Sequence, residues 1–241
     1  MKGTILEKII EAKRARVESA KLNASSDSVI DLAQTIRSSA MDHRLRTALS
    51  VGSRINIIAE FKRASPSKGV INDSIDLVET CVKYDKGGAC AISVLTEEDF
   101  FKGSLDDLRA IRKSVDIPIL RKDFIIDDHQ IYEAAAAGAD AILLIVAALT
   151  RDDLKRYLGL AETELGIDAL VEVHTDVELK VAIDIGASLI GVNNRNLKTF
   201  EVCLDVSREL VEHKPKNSLM ISESGIVSRD DITELHSLGF D

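Results

Sequence analysis

Glu60 and Lys62 stand two residues apart at the close of an apolar run, Ile57-Ile58-Ala59. On a strand that spacing turns both side chains to one side, so a carboxylate and an ammonium would share one space. The same event recurs down the chain. Ile119-Leu120 runs into Arg121-Lys122-Asp123, and Ala169-Leu170-Val171 runs into Glu172. Ile190-Gly191-Val192 runs into Asn193-Asn194-Arg195, and Met220-Ile221 into Ser222-Glu223-Ser224-Gly225. Ionisable groups are costly to bury, so such groups at the ends of buried strands usually have a task. Five polar strand ends suggest one shared mouth where protons are moved. Lys122 is the better acid of its pair, because Arg121 cannot release its proton at useful pH. Glu172, following an apolar run, suits a base or an acid. Asn193 and Ser224 offer neutral donors, and Gly225 allows close backbone approach. Ser65-Pro66-Ser67-Lys68-Gly69 gathers hydroxyls, N–H groups and a cation. That suits a phosphate, as does Ser224-Gly225 ahead of a helix start near Ser228. Plainer uses exist for each: a structural ion pair for Glu60 and Lys62, a surface position for Lys122, a turn for Asn193 and Ser224.

Composition removes several classes of function. Lys and Arg number 31 against 40 Asp and Glu, a net charge of −9, which argues against a nucleic-acid role. Residues 1–50 run against this, with nine basic and six acidic side chains. An anionic substrate would need local positive groups. No apolar run approaches the roughly 18 residues of a membrane span, and Ile5, Leu6, Ile9 and Ile10 are spaced by charges as in an amphipathic helix rather than a signal peptide. Cys81, Cys90 and Cys203 form no CxxC and read as thiols of a reducing cytoplasm. His129, His174 and the other histidines show no metal-ligand spacing. No metal or cofactor is expected.

The elements that would position these residues follow a strict order. Residues 4–20 read as a helix, and a second helical piece runs to about Ala48. Strands are expected near 55–60, 89–94, 117–121, 140–145, 168–173, 188–193 and 217–222. Helices are expected near 75–86, 105–114, 128–137, 151–164, 176–185, 204–213 and 228–238. Such βα alternation means a parallel sheet with right-handed crossovers. Gly88-Ala89, Gly138-Ala139 and Gly186-Ala187 recur at intervals of 50 and 48 residues, each glycine ending a helix before a strand. Gly239-Phe240-Asp241 supplies the cue for an eighth strand that does not follow. The expected fold is an α/β TIM (β/α)8 barrel with an N-terminal helical extension, lacking strand 8 in this chain. Residues 1–50 would be the extension and 51–241 the barrel. An open doubly wound sheet is the alternative, but no GxGxxG turn is present. The extension could cap the barrel floor or cover its mouth. The sequence stops in mid-repeat, so a shortened form of a longer chain is expected.

Six segments in order resemble indole-3-glycerol phosphate synthase: Glu60-Phe61-Lys62-Arg63-Ala64-Ser65-Pro66-Ser67, Leu95 to Ser104, Leu120 to Phe124, Leu170 to His174, Ile190 to Leu197 and Ser222 to Ile226. The resemblance covers nearly the whole chain. It implies ring closure of 1-(2-carboxyphenylamino)-1-deoxyribulose 5-phosphate with loss of CO₂ and water, a carboxy-lyase step of tryptophan biosynthesis without metal or redox cofactor. It further implies Lys122 as general acid, Glu172 as handler of the dehydration proton, and Lys62 on the substrate carboxylate or phosphate. Glu60, Asn193 and Ser224 would position sugar hydroxyls and lysines. Phe101, Phe124 and Arg195 would line the anthranilate pocket, and Ser65 and Gly225 would bind phosphate. The partner is a small anionic phosphate ester, with neither nucleic acid nor membrane.

Three other readings compete. Another phosphate-binding barrel enzyme, such as an isomerase or a sugar-phosphate aldolase, could use Lys122 as a Schiff-base lysine. A ligand-binding remnant would bind without turnover. A domain of a fused polypeptide would continue past Asp241.

Overall fold

The computed structural model describes residues 4–23, 25–52, 54–66, 69–71, 75–197 and 199–241. Seven parallel strands form one curled sheet: β1 (Ile58–Phe61), β2 (Ala91–Leu95), β3 (Ile119–Lys122), β4 (Ala141–Ile145), β5 (Asp168–Val173), β6 (Leu189–Asn193) and β7 (Leu219–Glu223). They pair in sequence order, as right-handed βα repeats dictate. Each lies within a few residues of its expected place. A two-residue hairpin pairing Ala64–Ser65 with Gly69–Val70, which periodicity does not announce, follows β1.

Period-two alternation divides the side chains. Ala141, Leu143 and Ile145 of β4 join Ala91, Leu120, Leu170 and Leu189 in a cluster inside the barrel. Ile142 and Leu144 join Ile92, Val94, Ile119, Val171, Ile190 and Val192 in the layer beneath the helices. Strands buried on both faces read as continuous apolar runs.

Helices α4 (Leu77–Lys86), α5 (Leu105–Arg112), α6 (Asp128–Ala137), α7 (Arg151–Gly159), α8 (Asp176–Asp184), α9 (Asp205–Leu210) and α10 (Arg229–Leu238) cover the sheet. Most start on a side-chain cap: Asp76, Ser104, Asp127, Thr150, Thr175 and Ser228 each accept a first-turn N–H. Gly88, Gly138, Gly186 and Gly239 all take positive φ, 81° to 110°, where a Cβ would be strained. The fourth glycine of the series therefore turns like the others. The Asp241 N–H then donates to Met220 O at 3.0 Å, as the Asp140 N–H does to Ile119 O, the bond with which β4 begins beside β3. Among the described residues β1 and β7 are the sheet's edges.

The segment before β1 forms three helices, α1 (Ile5–Asn23), α2 (Ser26–Arg37) and α3 (Arg44–Leu49). The second helical piece expected to reach Ala48 is thus broken at 38–43. The break lets Arg37 bond Leu165 O and Gly166 O, and lets α3 turn beneath the sheet. Leu45 and Leu49 then plug the inner cluster from below. Meanwhile α1 lies across the other end, where Lys13 bonds Glu98 and Asp123. Sequence left open whether the extension serves floor or mouth; it serves both.

Candidate active site

Strand parity carries a specific set of side chains into the mouth. Each lies two residues beyond an interior apolar residue or on the same parity: Glu60 after Ile58, Lys122 after Leu120, Glu172 after Leu170, Glu223 after Ile221. Arg121 has the opposite parity and turns into the helix layer, where it bonds Gln130 O, Thr96 and Asp123; Asp123 itself lies at the cavity's edge, tied to Lys13 of α1. The choice of Lys122 over Arg121 as the mouth-facing cation is therefore geometric as well as chemical.

A cavity of about 210 Å³ at the C-terminal end of the strands is lined by Glu60, Lys62, Ser65, Phe101, Lys122 and Phe124, and on its other side by Glu172, Asn193, Arg195 and Ser224. Ten of the eleven residues singled out from sequence thus meet in one space. Gly225, the eleventh, lines an adjoining cavity of about 360 Å³ that also reaches Glu60, Lys62 and Lys122. Ser67 and Lys68 of the expected phosphate loop lie outside the described residues. Leu143 and Ile145 make one wall apolar, and Ile5, Leu6 and Ile9 of α1 form part of the roof. The Phe101 and Phe124 rings stand 6.1 Å apart at 39°.

The charges are dense. Lys62 Nζ lies 2.5 Å from Glu60 Oε1, and Ser93 donates to Glu60 Oε2 at 3.2 Å. Lys122 Nζ sits 3.4 Å from Glu172 Oε2 and pairs with Glu223 Oε2. Burial would lower the Lys122 ammonium, but Glu223, Glu172 and Glu60 together hold it well above its ordinary value. The cavity would likewise raise the Glu60 carboxyl, and Lys122 and Lys62 hold it below instead. Burial pushes the Glu223 carboxyl up despite Lys122, and Glu172 adds to the rise. One Glu223 oxygen, Oε1, is buried without a hydrogen-bond partner among the described residues.

Glu223 is the residue that sequence reasoning quoted and then passed over. The signal was available, since it ends β7 on the same parity as the other mouth carboxylates. A second signal is Gly191: a Cβ there would fall inside contact distance of Glu223 Oε1. Glu97 was missed as well. It is fully buried, and its carboxylate accepts from the N–H groups of Asp99, Phe100 and Phe101, which fixes the loop that presents Phe101.

Asn193 Oδ1 accepts from the Arg195 N–H at 3.0 Å, and Arg195 Nη1 donates to Phe200 O at 3.2 Å. Ser224 has φ 66°, a left-handed value that is uncommon outside glycine. The α10 start is less open to an anion than its sequence suggests. Asp231 already accepts from the Val227 and Ser228 N–H groups in a capping box.

A family model described as indole-3-glycerol phosphate synthase matches residues 6–241. An indole-3-glycerol phosphate synthase of Carboxydothermus hydrogenoformans is 45% identical over 239 residues, covering 98% of this chain and 90% of that protein. One of Chloroherpeton thalassium is 44% identical, covering 99% and 91%. Among solved structures, the N-acetylmannosamine-6-phosphate 2-epimerase of Clostridium perfringens superposes with a TM-score of 0.63 at 16% identity, covering 83% of this chain and 88% of the other. That likeness concerns the barrel alone. With the fold, the mouth and the sequence match in agreement over nearly its whole length, the chain belongs to the indole-3-glycerol phosphate synthase family.

Proposed function

We propose that the cavity around Lys122 is where this chain carries out its reaction, the ring closure of 1-(2-carboxyphenylamino)-1-deoxyribulose 5-phosphate with loss of CO₂ and water. The observation that carries the assignment is the pairing of Lys122 with Glu172 and Glu223 inside a mouth that also holds an apolar wall. Lys122 is protonated at neutral pH, the state from which a general acid must start. It donates to the substrate carbonyl as the aryl carbon attacks and negative charge grows on oxygen. Glu172 then handles the proton of dehydration. Lys62 exchanges Glu60 for the substrate's carboxylate or phosphate.

The aryl group lies against Phe101, Phe124, Leu143 and Ile145, beneath the roof of α1. Arg195 stacks at its edge, and Asn193, Ser224 and Glu60 orient the sugar hydroxyls. The phosphate is held by Ser65 and by the backbone at Gly225. Cys81, Cys90 and Cys203 are all unpaired, which suits a cytoplasmic enzyme; burial pushes the Cys81 thiol up to about 12, so it is inert.

The test is turnover of the carboxyphenylamino-deoxyribulose phosphate followed by indole fluorescence. The chain has no Trp, so the background is low. Lys122→Ala and Glu172→Gln should each lower kcat by about 100-fold or more. Near-normal turnover in either variant removes the assignment.

A further inference from the structure

Behind the mouth lies a second cavity of about 610 Å³, whose wall includes His174, Thr175 and Glu178. The two cavities share Leu6, Asn193, Arg195 and Leu197, but Glu172 lines only the mouth and His174 only the second space. Between them the imidazole is held from one side. Glu178 Oε2 accepts the His174 backbone N–H at 2.7 Å and lies 3.2 Å from Nδ1. The other ring nitrogen, Nε2, is 3.4 Å from Glu172 Oε1. That contact lacks hydrogen-bond geometry, and Nε2 is buried with no hydrogen-bond partner among the described residues.

A neutral imidazole has one N–H, so it cannot donate to both carboxylates at once. Two states satisfy both contacts: an imidazolium beside a Glu172 carboxylate, and a neutral ring with Nδ1–H on Glu178 whose Nε2 accepts from a Glu172 carboxyl. The two states differ by one proton moved across the gap. The reaction has a need for that proton. Ring closure places one proton on the carbonyl oxygen, and departure of the resulting hydroxyl as water takes a second. Rearomatisation returns one from carbon. Loss of CO₂ from a carboxylate anion therefore consumes one proton net in each turnover. The mouth, roofed by α1, has to receive it from outside.

We propose that His174 is a positioning and relay residue that delivers this proton from the second cavity to Glu172. The Nε2–H bond of the imidazolium breaks and an O–H bond forms on Glu172. The neutral ring is left with its Nδ1–H on Glu178; to reset, it turns about its Cβ–Cγ bond, takes a proton from solvent at Nε2 in the second cavity, and returns to its place between Glu178 and Glu172. Glu172 passes the proton to the departing hydroxyl or, through the oxygen 3.4 Å from Nζ, back to Lys122. The charged groups facing His174 are Glu172 on β5, Glu178 on α8 and Glu223 on β7, with Arg195 and Glu201 lining the same cavity. Burial lowers the imidazole's affinity for its second proton, but the three carboxylates outweigh burial and raise it above the ordinary value. The contact is long for a transfer, as such contacts often are before substrate closes the site.

The proposal rests on Glu172 being the mouth's proton-handling carboxylate, so His174→Gln is measured beside Glu172→Gln. In the parent, kcat should fall as pH rises through the imidazolium's titration. In His174→Gln, kcat should drop about tenfold or more with KM within about twofold. That alkaline limb should vanish, and added imidazole should restore part of the rate. A kcat within about twofold of the parent with the limb intact overturns the relay, and so does a loss that neither alters the limb nor responds to imidazole. If His174→Gln does not fold, Glu178→Gln decides. It removes a negative charge beside the ring, so the limb must move to lower pH; an unmoved limb overturns the proposal. Near-normal turnover in Glu172→Gln would instead remove the site assignment beneath it.

Discussion

The two ends of the barrel solve the problem of buried charge in opposite ways. At the floor, Asp140 accepts from Arg44 at 3.0 Å, Arg112 at 2.8 Å and the Ile119 N–H at 2.9 Å. Asp168 accepts from the Arg46 N–H at 2.9 Å and faces His43 Nδ1 at 3.1 Å. Each floor carboxylate is matched by donors from neighbouring elements. At the mouth, Lys122 faces Glu60, Glu172 and Glu223 together, and polar atoms of Glu223 and His174 are left over. A buried group without partners costs free energy, so the mouth keeps charges that the fold itself does not balance. Barrels place stability at the N-terminal face of the strands and chemistry at the C-terminal face. Here the contrast is visible in hydrogen-bond accounting.

Paired substitutions can break that contrast. Asp140→Ala leaves Arg44 and Arg112 facing each other with no shared anion, and leaves the Ile119 N–H without its acceptor. We expect a loss of about 3 kcal/mol, a fall in melting temperature of roughly 6–12 °C. The protein that remains folded should keep its kcat and KM. Thermal unfolding beside steady-state kinetics checks this. A large fall in kcat at unchanged stability would mean that the floor is coupled to the chemistry and that the division is false.

Gly191→Ala is the mouth's counterpart. Its Cβ would collide with Glu223 Oε1 and touch Leu170 Cδ1 at 3.3 Å. The end of a flexible side chain can move, so stability should change by no more than about 1 kcal/mol. Glu223 must then leave its place beside Lys122, and we expect kcat to fall by about tenfold. Stability lost without activity lost would reverse the signs expected at the mouth. It would show that Glu223 serves packing.

Much of this architecture is legible in the sequence, because period-two alternation and glycine punctuation are local. The seven strands, the parity that sends Lys122 inward and Arg121 outward, and the glycine series through Gly239 all follow from neighbours in the chain. What stayed hidden depends on distant partners. The break at 38–43 exists because Arg37 finds carbonyls at Leu165 and Gly166, more than 120 residues away. The inward parity of Glu223 is local, but its pairing with Lys122 exists only once β7 is brought round to face β3. His174 looked like one more histidine without ligand spacing until α8 and β5 set carboxylates on both of its nitrogens.

The smallest expected effect concerns the N-terminal extension, which packs at both ends. At the mouth, α1 is fastened by Lys13, which is 3% exposed and lies 2.8 Å from Glu98 and 2.9 Å from Asp123. Its other ties, Arg16 to Asp99 and Lys21 to Asp127, are solvent-facing and worth little each. Burial alone would raise the Asp123 carboxyl, but Arg121 and Lys13 hold it below the ordinary range. A carboxyl lowered in the folded state stabilises the fold above its unfolded pKa, near 4, and that stability fades as pH falls through the folded value. In Lys13→Met the carboxyl keeps Arg121, Thr96 and the Phe124 N–H but loses the ammonium, so its folded value rises. Acid unfolding, followed by circular dichroism, should then begin at higher pH than in the parent. With Ile5, Leu6 and Ile9 less firmly seated over the cavity, KM should rise by about two- to fivefold while kcat changes less. An unchanged acid transition together with an unchanged KM would show that α1 is a passive cover whose seat does not depend on Lys13. The mouth would then be held by the barrel alone, as the floor would be without α3.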